Sequence, residues 1–407
     1  MLMAKERLIT SLDIGSAKIS TIIASVLDDR LSVIGVCSVP SAGIRKGVVV
    51  DIDAAVTAIS KSLEAAERMA GCSVSQVLAS VGGSHIESQN SHGVVAVSRA
   101  NAEIEAVDVA RVTDAAQAVS LPSNREIIHV IPRDFIVDSQ DGIRDPVGMS
   151  GVRLEVETNI ISGSATAMRN LAKCVEQVGV SVSDFVYCGI AAAESVLTDT
   201  EKELGTILVD IGGGTTSLCL FTEGAPAYSA VIPMGGQNIT NDLAIGLGTS
   251  LENAERVKLK LGESPREELE INVKELSLES GDTIPKKLLM DIVRYRTQEI
   301  FSVVALEIKK AGFVGRLPAG MVICGGAART FEIEQMAKSA LRMPVRVGSP
   351  RGASGLIDEI VGPAFASGVG AILYGRRLDT SRSSQDTKGK MFNVFEKATS
   401  WFKSFLP

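Results

Sequence analysis

Aromatic side chains are scarce in this chain. Phe, Tyr and Trp make up 4% of 407 residues, so a core must be built from aliphatic groups, and any local concentration of rings needs a reason. The six cysteines (Cys37, Cys72, Cys174, Cys188, Cys219 and Cys324) include no CxxC pair. That excludes a disulfide or zinc framework and suits buried thiols in a reducing compartment. No run of 18 uncharged apolar residues exists, so no segment is expected to span a bilayer. Nor do the first residues read as a signal peptide, because Lys5, Glu6 and Arg7 are followed closely by Asp13. A basic excess is missing too: the formal net charge of −7 argues against a nucleic-acid partner. Together these absences lead to the expectation of a cytoplasmic protein.

What is present is ordinary globular material, 45% hydrophobic and 22% charged. At this length two or more domains enclosing a cleft are expected. An internal repeat supports that. "LITSLDIGSAKISTIIASV" at 8–26 and "TILVDIGGGTTSLCLFTEG" at 206–224 both read as apolar strand, Asp-Ile-Gly, small or polar turn and second apolar strand, about half the chain apart. In a Walker or dinucleotide loop the glycines lead into a helix. Here "TTSLCLF" continues as a strand, so the glycines close a hairpin. Such a hairpin is either an ordinary β-turn or a phosphate loop. In the second case glycine lets backbone N–H groups approach an anion, and the preceding Asp can hold a hydrated metal ion. Two at matching positions favour the phosphate reading, with Asp13, Gly15, Ser16 and Lys18 in one loop and Asp210, Gly212, Gly213, Gly214 and Thr215 in the other. Asp13 and Asp210 would then hold Mg2+ through water. Two further glycine pairs follow. Gly235 and Gly236 precede a helix-like run that Asn238 or Thr240 could cap, and an apolar strand in "AGMVICGGAARTFEIEQMAKSAL" ends in Gly325-Gly326-Ala327 before a helix.

The order of these segments resembles the actin, Hsp70 and sugar-kinase ATPase superfamily, whose nucleotide lies between two related domains. The resemblance implies an α/β, actin-like (RNase H-like) two-domain ATPase fold with ATP and Mg2+ as cofactors. The adenosine loop would be Gly325, Gly326 and Ala327, with Gly235 and Gly236 nearby, and a second connecting helix would lie near "GPAFASGVGAILYG". "ENAERVKLKLG" is similar to the adenine-contacting helix of the Hsp70 branch and puts Glu255 and Lys258 at the matching spacing.

The resemblance narrows to the FtsA family of bacterial cell-division proteins, over essentially the whole chain. "REIIHVIPRDFIVDSQDGIRDPVGMSGVRLEVETNIISGS", residues 125–164, is similar to the 1C subdomain inserted in that family. The residues themselves agree: "EIEAVDVARVTDAAQAV" has helical periodicity, while "REIIHVIPRDFIVD" and "RLEVETNIIS" alternate like half-buried strands. The implied subdomains are 1A at 1–83 and 164–195, 1C at 84–163, 2A at 196–232 and 306–375, and 2B at 233–305. A flexible linker at 376–388 and a membrane-targeting amphipathic helix at 389–407 would complete the chain. One departure stands out. Hsp70-type members carry Glu-Pro-x-Ala-Ala-Ala where this chain has Cys188-Gly189-Ile190-Ala191-Ala192-Ala193, and Glu194 is misplaced as a substitute. Without a group to orient the attacking water, hydrolysis is expected to be slow or negligible, and no catalytic residue is assigned.

Five of the rings, Phe392, Phe395, Trp401, Phe402 and Phe405, lie in "KGKMFNVFEKATSWFKSFLP", residues 388–407. At roughly 100° per residue they share half of a helix with Met391, Val394, Ala398 and Leu406, while Asn393, Glu396, Lys397, Ser400, Lys403 and Ser404 take the other half. Lys397 and Lys403 suit a helix lying in an anionic membrane surface rather than crossing it. The preceding "RRLDTSRSSQDTKGK" reads as a disordered linker spanning about 20 Å as a coil.

The family resemblance thus implies an ATP-binding adaptor at the cytoplasmic face of the bacterial inner membrane, at the division site. It would tether FtsZ, self-polymerise and help recruit later division proteins, with Arg296 in "DIVRYRTQEI" either meeting the acidic C-terminal peptide of FtsZ or lying on a solvated helix face. A small-molecule kinase on the same fold would need a substrate-side carboxylate and gives no reason for the tail. An FtsA-like pilus-assembly ATPase of the PilM type is expected to lack that tail.

Overall fold

The computed structural model describes residues 7–27, 30–97, 103–118, 121–265, 267–274, 283–355 and 357–386. Contacts divide the chain into two units. One is drawn from residues up to Asn90, Leu121–Ile131 and Asn159–Leu373, and the other from Ser91–Ser120, Pro132–Thr158 and the chain from Tyr374 onward.

The principal elements begin with a meander of β1 (Arg7–Ile14), β2 (Lys18–Leu27) and β3 (Arg30–Pro40), then α1 (Ile52–Ala70) and β4 (Gln76–Val81). Helix α1 starts where the Asp51 carboxylate accepts the Ala54 N–H at 3.0 Å, and it stops at Gly71 in the left-handed conformation. An excursion follows through β5 (Glu87–Ala96), α2 (Ala106–Gln117), β6 (Arg125–Val137), β7 (Gln140–Ile143) and β8 (Arg153–Ser164). Helix α3 (Ala165–Glu176), β9 (Ser181–Tyr187) and α4 (Cys188–Val196) close the first half. The second half comprises β10 (Thr206–Ile211), β11 (Thr216–Thr222), β12 (Ala225–Ile232), α5 (Gly236–Leu247), α6 (Leu251–Glu263), α7 (Lys286–Lys310), β13 (Met321–Cys324), α8 (Ile333–Leu341), β14 (Val345–Val347) and α9 (Ala366–Asp386).

The sequence repeat is a repeat of topology. In the first half the strand order is β9-β4-β1-β2-β3, and in the second it is β14-β13-β10-β11-β12. The register repeats as well: Asp13 faces Ser20 across β1 and β2, as Asp210 faces Ser217 across β10 and β11. On the parallel side Asp13 is level with Ser80 of β4, and Asp210 with Cys324 of β13. The central strands β2, β10 and β11 are buried on both faces, which is why they read as continuous aliphatic runs rather than alternating ones. Both of these five-strand sets lie in the first unit. Helices α4, which follows β9, and α9, which comes after β14, cross backbone to backbone: a Cβ added at Gly370 would stand 1.7 Å from the carbonyl oxygen of Ala191. Nearby, the Ser195 hydroxyl donates to the Ala366 carbonyl at 2.7 Å.

In the second unit the strand order is β5-β8-β6-β7. Helix α2 packs against β5, and Val97, Ile104, Val112, Phe135, Leu154 and Val156 form the core. The helix and the two long strands fall where the sequence placed them, but the expected half-buried alternation is not met: β8 is buried on both faces along most of its length.

Three local expectations need correction. Neither Asn238 nor Thr240 caps α5, which starts earlier with Gly235 as its cap. Asn238 Oδ1 instead accepts the Gly235 N–H at 3.0 Å, and the Thr240 hydroxyl donates back to the Gly236 carbonyl at 3.2 Å. Helix α9 runs to Asp386, through most of the stretch expected as a linker over 376–388. Its buried start at Ala366–Ile372 supplies the nucleus, and no Gly or Pro interrupts "RRLDTSRSSQD" thereafter. Of the six cysteines none forms a disulfide, but Cys37, Cys72 and Cys188 are only partly buried. Residues 387–388 of the linker and the tail residues Met391, Phe392, Phe395, Lys397, Trp401, Phe402, Lys403, Phe405 and Leu406 lie outside the described residues. Among the described residues no helix is long and apolar enough to cross a membrane.

Gly370 sets two effects against each other. Alanine favours a helix over glycine by about 1 kcal/mol, whereas overpacking costs about 1–3 kcal/mol. The clashing atom is a backbone oxygen that cannot rotate away, so the second effect wins. Gly370→Ala is expected to lower the urea midpoint with an unchanged m-value; an unchanged or raised midpoint would contradict the close crossing.

Candidate functional site

The turns of the two repeated hairpins line one cavity of about 200 Å3. Each turn is closed by the same backbone bond: Gly15 N–H donates to the Lys18 carbonyl at 3.0 Å, and Gly212 N–H to that of Thr215 at 2.8 Å. The turns touch. A Cβ at Gly213 would stand 2.5 Å from Cβ of Ala17, so any side chain there would push the hairpins apart. Gly325, at the end of β13, has φ +87°, and its added Cβ would lie 2.3 Å from Asp210 Oδ1.

Three charged groups meet here. Asp13 accepts a hydrogen bond from the Ser80 hydroxyl, and Asp210 accepts one from the Ser367 hydroxyl at 2.8 Å. Burial pushes the Asp210 carboxyl up to about 6, with the charge of Asp13 adding to the shift and the Ser367 hydrogen bond opposing it. The Lys18 ammonium is buried without a hydrogen-bond partner and sits 3.5 Å over the ring centroid of Phe365. Burial lowers its pKa, while Asp13 and Asp210 pull the other way. A buried cation with three idle donors, glycine turns open to the cavity and two converging carboxylates fit a polyanion accompanied by a divalent cation. Cys188 occupies part of the wall, its Sγ 3.1 Å from the Ser217 hydroxyl. Burial holds its thiol far above the ordinary range, so it is neutral and no base. Glu194 stands outside the lining, 3.8 Å from the Lys202 ammonium.

Of the residues singled out from sequence, Asp13, Gly15, Ser16, Lys18, Asp210, Gly212, Gly213, Thr215, Gly325 and Gly326 line the cavity. Gly214 is turned against Ser16. Gly235 and Gly236 open α5, which docks on the second turn through Gly236 N–H to the Gly212 carbonyl at 2.9 Å and Gln237 N–H to that of Gly213 at 2.8 Å. Behind them Lys258 donates to Glu255 at 2.6 Å, to the Thr240 hydroxyl at 2.8 Å and to the Gly236 carbonyl at 3.3 Å, and Ala327 packs beside Gly236. Arg296 lies elsewhere, on α7. Its guanidinium already serves Asp242 at 2.6 and 2.9 Å and Glu299 at 2.5 Å. Sequence reading missed Gly47, Ser80, Gly82, Ser217 and Ser367 in the lining. Two carried a signal: Ser217, as the repeat partner of Ser20, and Ser367, inside the segment expected as the second connecting helix.

Two likenesses establish the class. The PilM–PilN type IV pilus biogenesis complex matches with a TM-score of 0.65 at 15% identity, over 90% of this chain and 98% of that one. MreB5 of Spiroplasma citri, solved bound to ADP, matches with a TM-score of 0.54 at 14% identity, over 94% and 99%. With the repeated hairpins, these define an actin-like ATPase fold. The family model described as "Cell division protein FtsA" matches residues 207–370, and that of the "SHS2 domain inserted in FTSA" matches 83–162. FtsA of Pseudomonas aeruginosa is 38% identical over 96% of this chain and 94% of its own. FtsA of Bacillus subtilis is 41% identical over 92% and 85%. This chain belongs to the FtsA family of bacterial cell-division proteins, as the sequence resemblance implied.

Asp210 makes stability depend on pH. Its folded pKa of about 6 exceeds the ordinary 3.8, so between those values the folded state holds a proton that the unfolded state releases, and stability falls as pH rises. Asp210→Asn removes the burden. Without ligand, the melting temperature of the variant relative to the parent is expected to rise from pH 4 to pH 7 and to stay level above; a difference independent of pH would contradict the burial of a charged Asp210.

Proposed function

We propose that the chain binds ATP with Mg2+ in this cavity and acts in division as a membrane-associated adaptor for FtsZ. The observation that carries the nucleotide reading is the convergence of two matched Asp-Gly hairpins on an unpartnered buried lysine. Lys18 and the turn N–H groups would meet phosphate oxygens. Asp13 and Asp210 would hold Mg2+ through water, and the ion supplies charge neutralisation at the phosphates. Gly325, Gly326 and Ala327, with Gly235, Gly236, Glu255 and Lys258, form the adenosine side. With a neutral Cys188 where a carboxylate would orient water, nucleotide is held rather than rapidly turned over.

The adaptor reading is supported by family membership and by sequence. An acidic FtsZ peptide would displace the carboxylates of Asp242 and Glu299 from Arg296 within subdomain 233–305. The insertion at 84–163 would supply one face of a head-to-tail contact between copies, weak in solution and strengthened when a membrane concentrates the subunits. The amphipathic tail would provide the membrane contact: each buried Phe or Leu contributes about 1.5–3 kcal/mol, and each excess lysine about 1 kcal/mol near an anionic surface.

One charge-assisted contact is worth about 1.5–3 kcal/mol, so Lys18→Ala is expected to weaken binding of a fluorescent ATP analogue by about ten- to a hundredfold while the melting curve stays cooperative. Unchanged affinity in both Lys18→Ala and Asp210→Ala would remove the nucleotide assignment. For the tail, truncation after Lys388 is expected to leave a folded body that no longer pellets with anionic vesicles. Trp401→Glu reproduces that loss, and Ser400→Glu weakens binding only modestly; equal damage from both would refute the amphipathic anchor.

A further inference from the structure

The Lys18 ammonium rests on an aromatic ring rather than on an oxygen. Phe365 ends the short helical turn Pro363–Phe365 that leads into α9. The backbone of that turn is pinned to the site: Gly325 N–H donates to the Pro363 carbonyl at 2.9 Å, and Phe365 N–H to that of Gly362 at 3.0 Å. The ring therefore approaches the cavity from the wall formed by Pro363 and Ala364. The charged groups facing the ammonium are Asp13 from β1, Asp210 from β10 and Arg329 from the helical turn after β13.

What stands beneath the lysine decides what the lysine can do. A carbonyl in the position of the ring would take one of its N–H donors, and a carboxylate would also cancel its charge. A π face attracts the charge and uses no donor. Burial alone would favour the neutral amine, so a partner that supports the charge without occupying the donors is the one suited to a group awaiting phosphate oxygens. The sequence gives no hint of this pairing, because the two residues stand at opposite ends of the chain.

We propose that Phe365 is the positioning residue of Lys18: its ring holds the ammonium charged, with its donors uncommitted, at the wall of the cavity, and so sets the affinity of the site for a nucleotide polyphosphate. This rests on the nucleotide reading of the cavity, and the two fail in different ways.

The test is calorimetric titration of the full chain with ATP and Mg2+ between pH 7.5 and 10, using Phe365→Leu, Phe365→Tyr, Lys18→Met and the Phe365→Leu/Lys18→Met double variant. Phe365→Leu is expected to bind about three- to thirtyfold more weakly, and Phe365→Tyr, which keeps the π face, within about twofold of the parent. On the Lys18→Met background the leucine substitution changes affinity by less than about twofold, because the ring acts through the charge it supports. The alkaline loss of affinity moves to lower pH in Phe365→Leu and stays in place in Phe365→Tyr. Phe365→Met replaces the leucine variant if the latter melts below the assay temperature. The proposal is overturned if Phe365→Leu binds like the parent, if it loses the same factor without Lys18, or if the alkaline limb does not move. A weakened Lys18→Met beside an unaffected Phe365→Leu removes the ring alone. A parent that does not bind ATP removes the nucleotide site and the role of the ring with it, whereas a Lys18→Met variant that binds as the parent does removes the roles of the lysine and the ring and leaves nucleotide binding standing.

Discussion

Everything in the first unit depends on bringing two carboxylates and one ammonium together at the touching turns of two hairpins. That arrangement dictates backbone composition before it dictates chemistry, since a Cβ at Gly213 would already strike Ala17 and one at Gly325 would strike Asp210. It also dictates register. Side chains alternate faces along a strand, so a one-residue slip in either hairpin would turn its aspartate away from the cavity. The repeated pairings of Asp13 with Ser20 and Asp210 with Ser217 keep both carboxylates on the same side of their sheets. The duplicated strand order is the simplest way to meet that demand twice.

Concentrating charge in this way is unfavourable on its own. Burial raises Asp210 and lowers Lys18, which means that each ionised form is held against its solvation preference. Single hydroxyls from Ser80 and Ser367 and the ring of Phe365 offset part of that cost without neutralising any group. The rest of the compensation is left to whatever binds. Stability and function oppose each other here: a change that relieves the site in the absence of ligand is a change that removes its reason to hold one.

The sequence disclosed the parts of this design that are local and repeated. Asp-Ile-Gly between apolar runs occurs twice, and the spacing of the glycine pairs gave the order of the segments, hence the fold and ten lining residues. What it concealed is supplied by long-range packing. Ser80 lies near the end of an unremarkable strand, Phe365 reaches Lys18 from a turn pinned to Gly325, and Ser367 reaches Asp210 from the start of α9. The helical continuation past Arg376 was missed although a helix was expected just before it, because the polar stretch carries no apolar periodicity of its own and helix propagation from a buried nucleus needs none. Arg296 was visible as a basic residue on a helix, but Asp242, two elements earlier, was not visible as its partner.

The wall contributed by α4 then fixes what kind of site this is. Hydrolysis of a phosphoanhydride needs a group that orients and deprotonates water, and among the described residues the carboxylates lining the cavity are Asp13 and Asp210. Both are engaged by hydroxyls and, on the proposed reading, turned toward a metal ion. Cys188 stands at the remaining position with a protonated thiol beside Ser217. A ligand completing these charges would therefore act chiefly on the protein, by relieving Asp210 and engaging Lys18 at once. Because those residues sit on opposite hairpins, the relief is available only while the two halves hold their mutual contact. On the proposed reading, occupancy is thereby coupled to the joining of the halves.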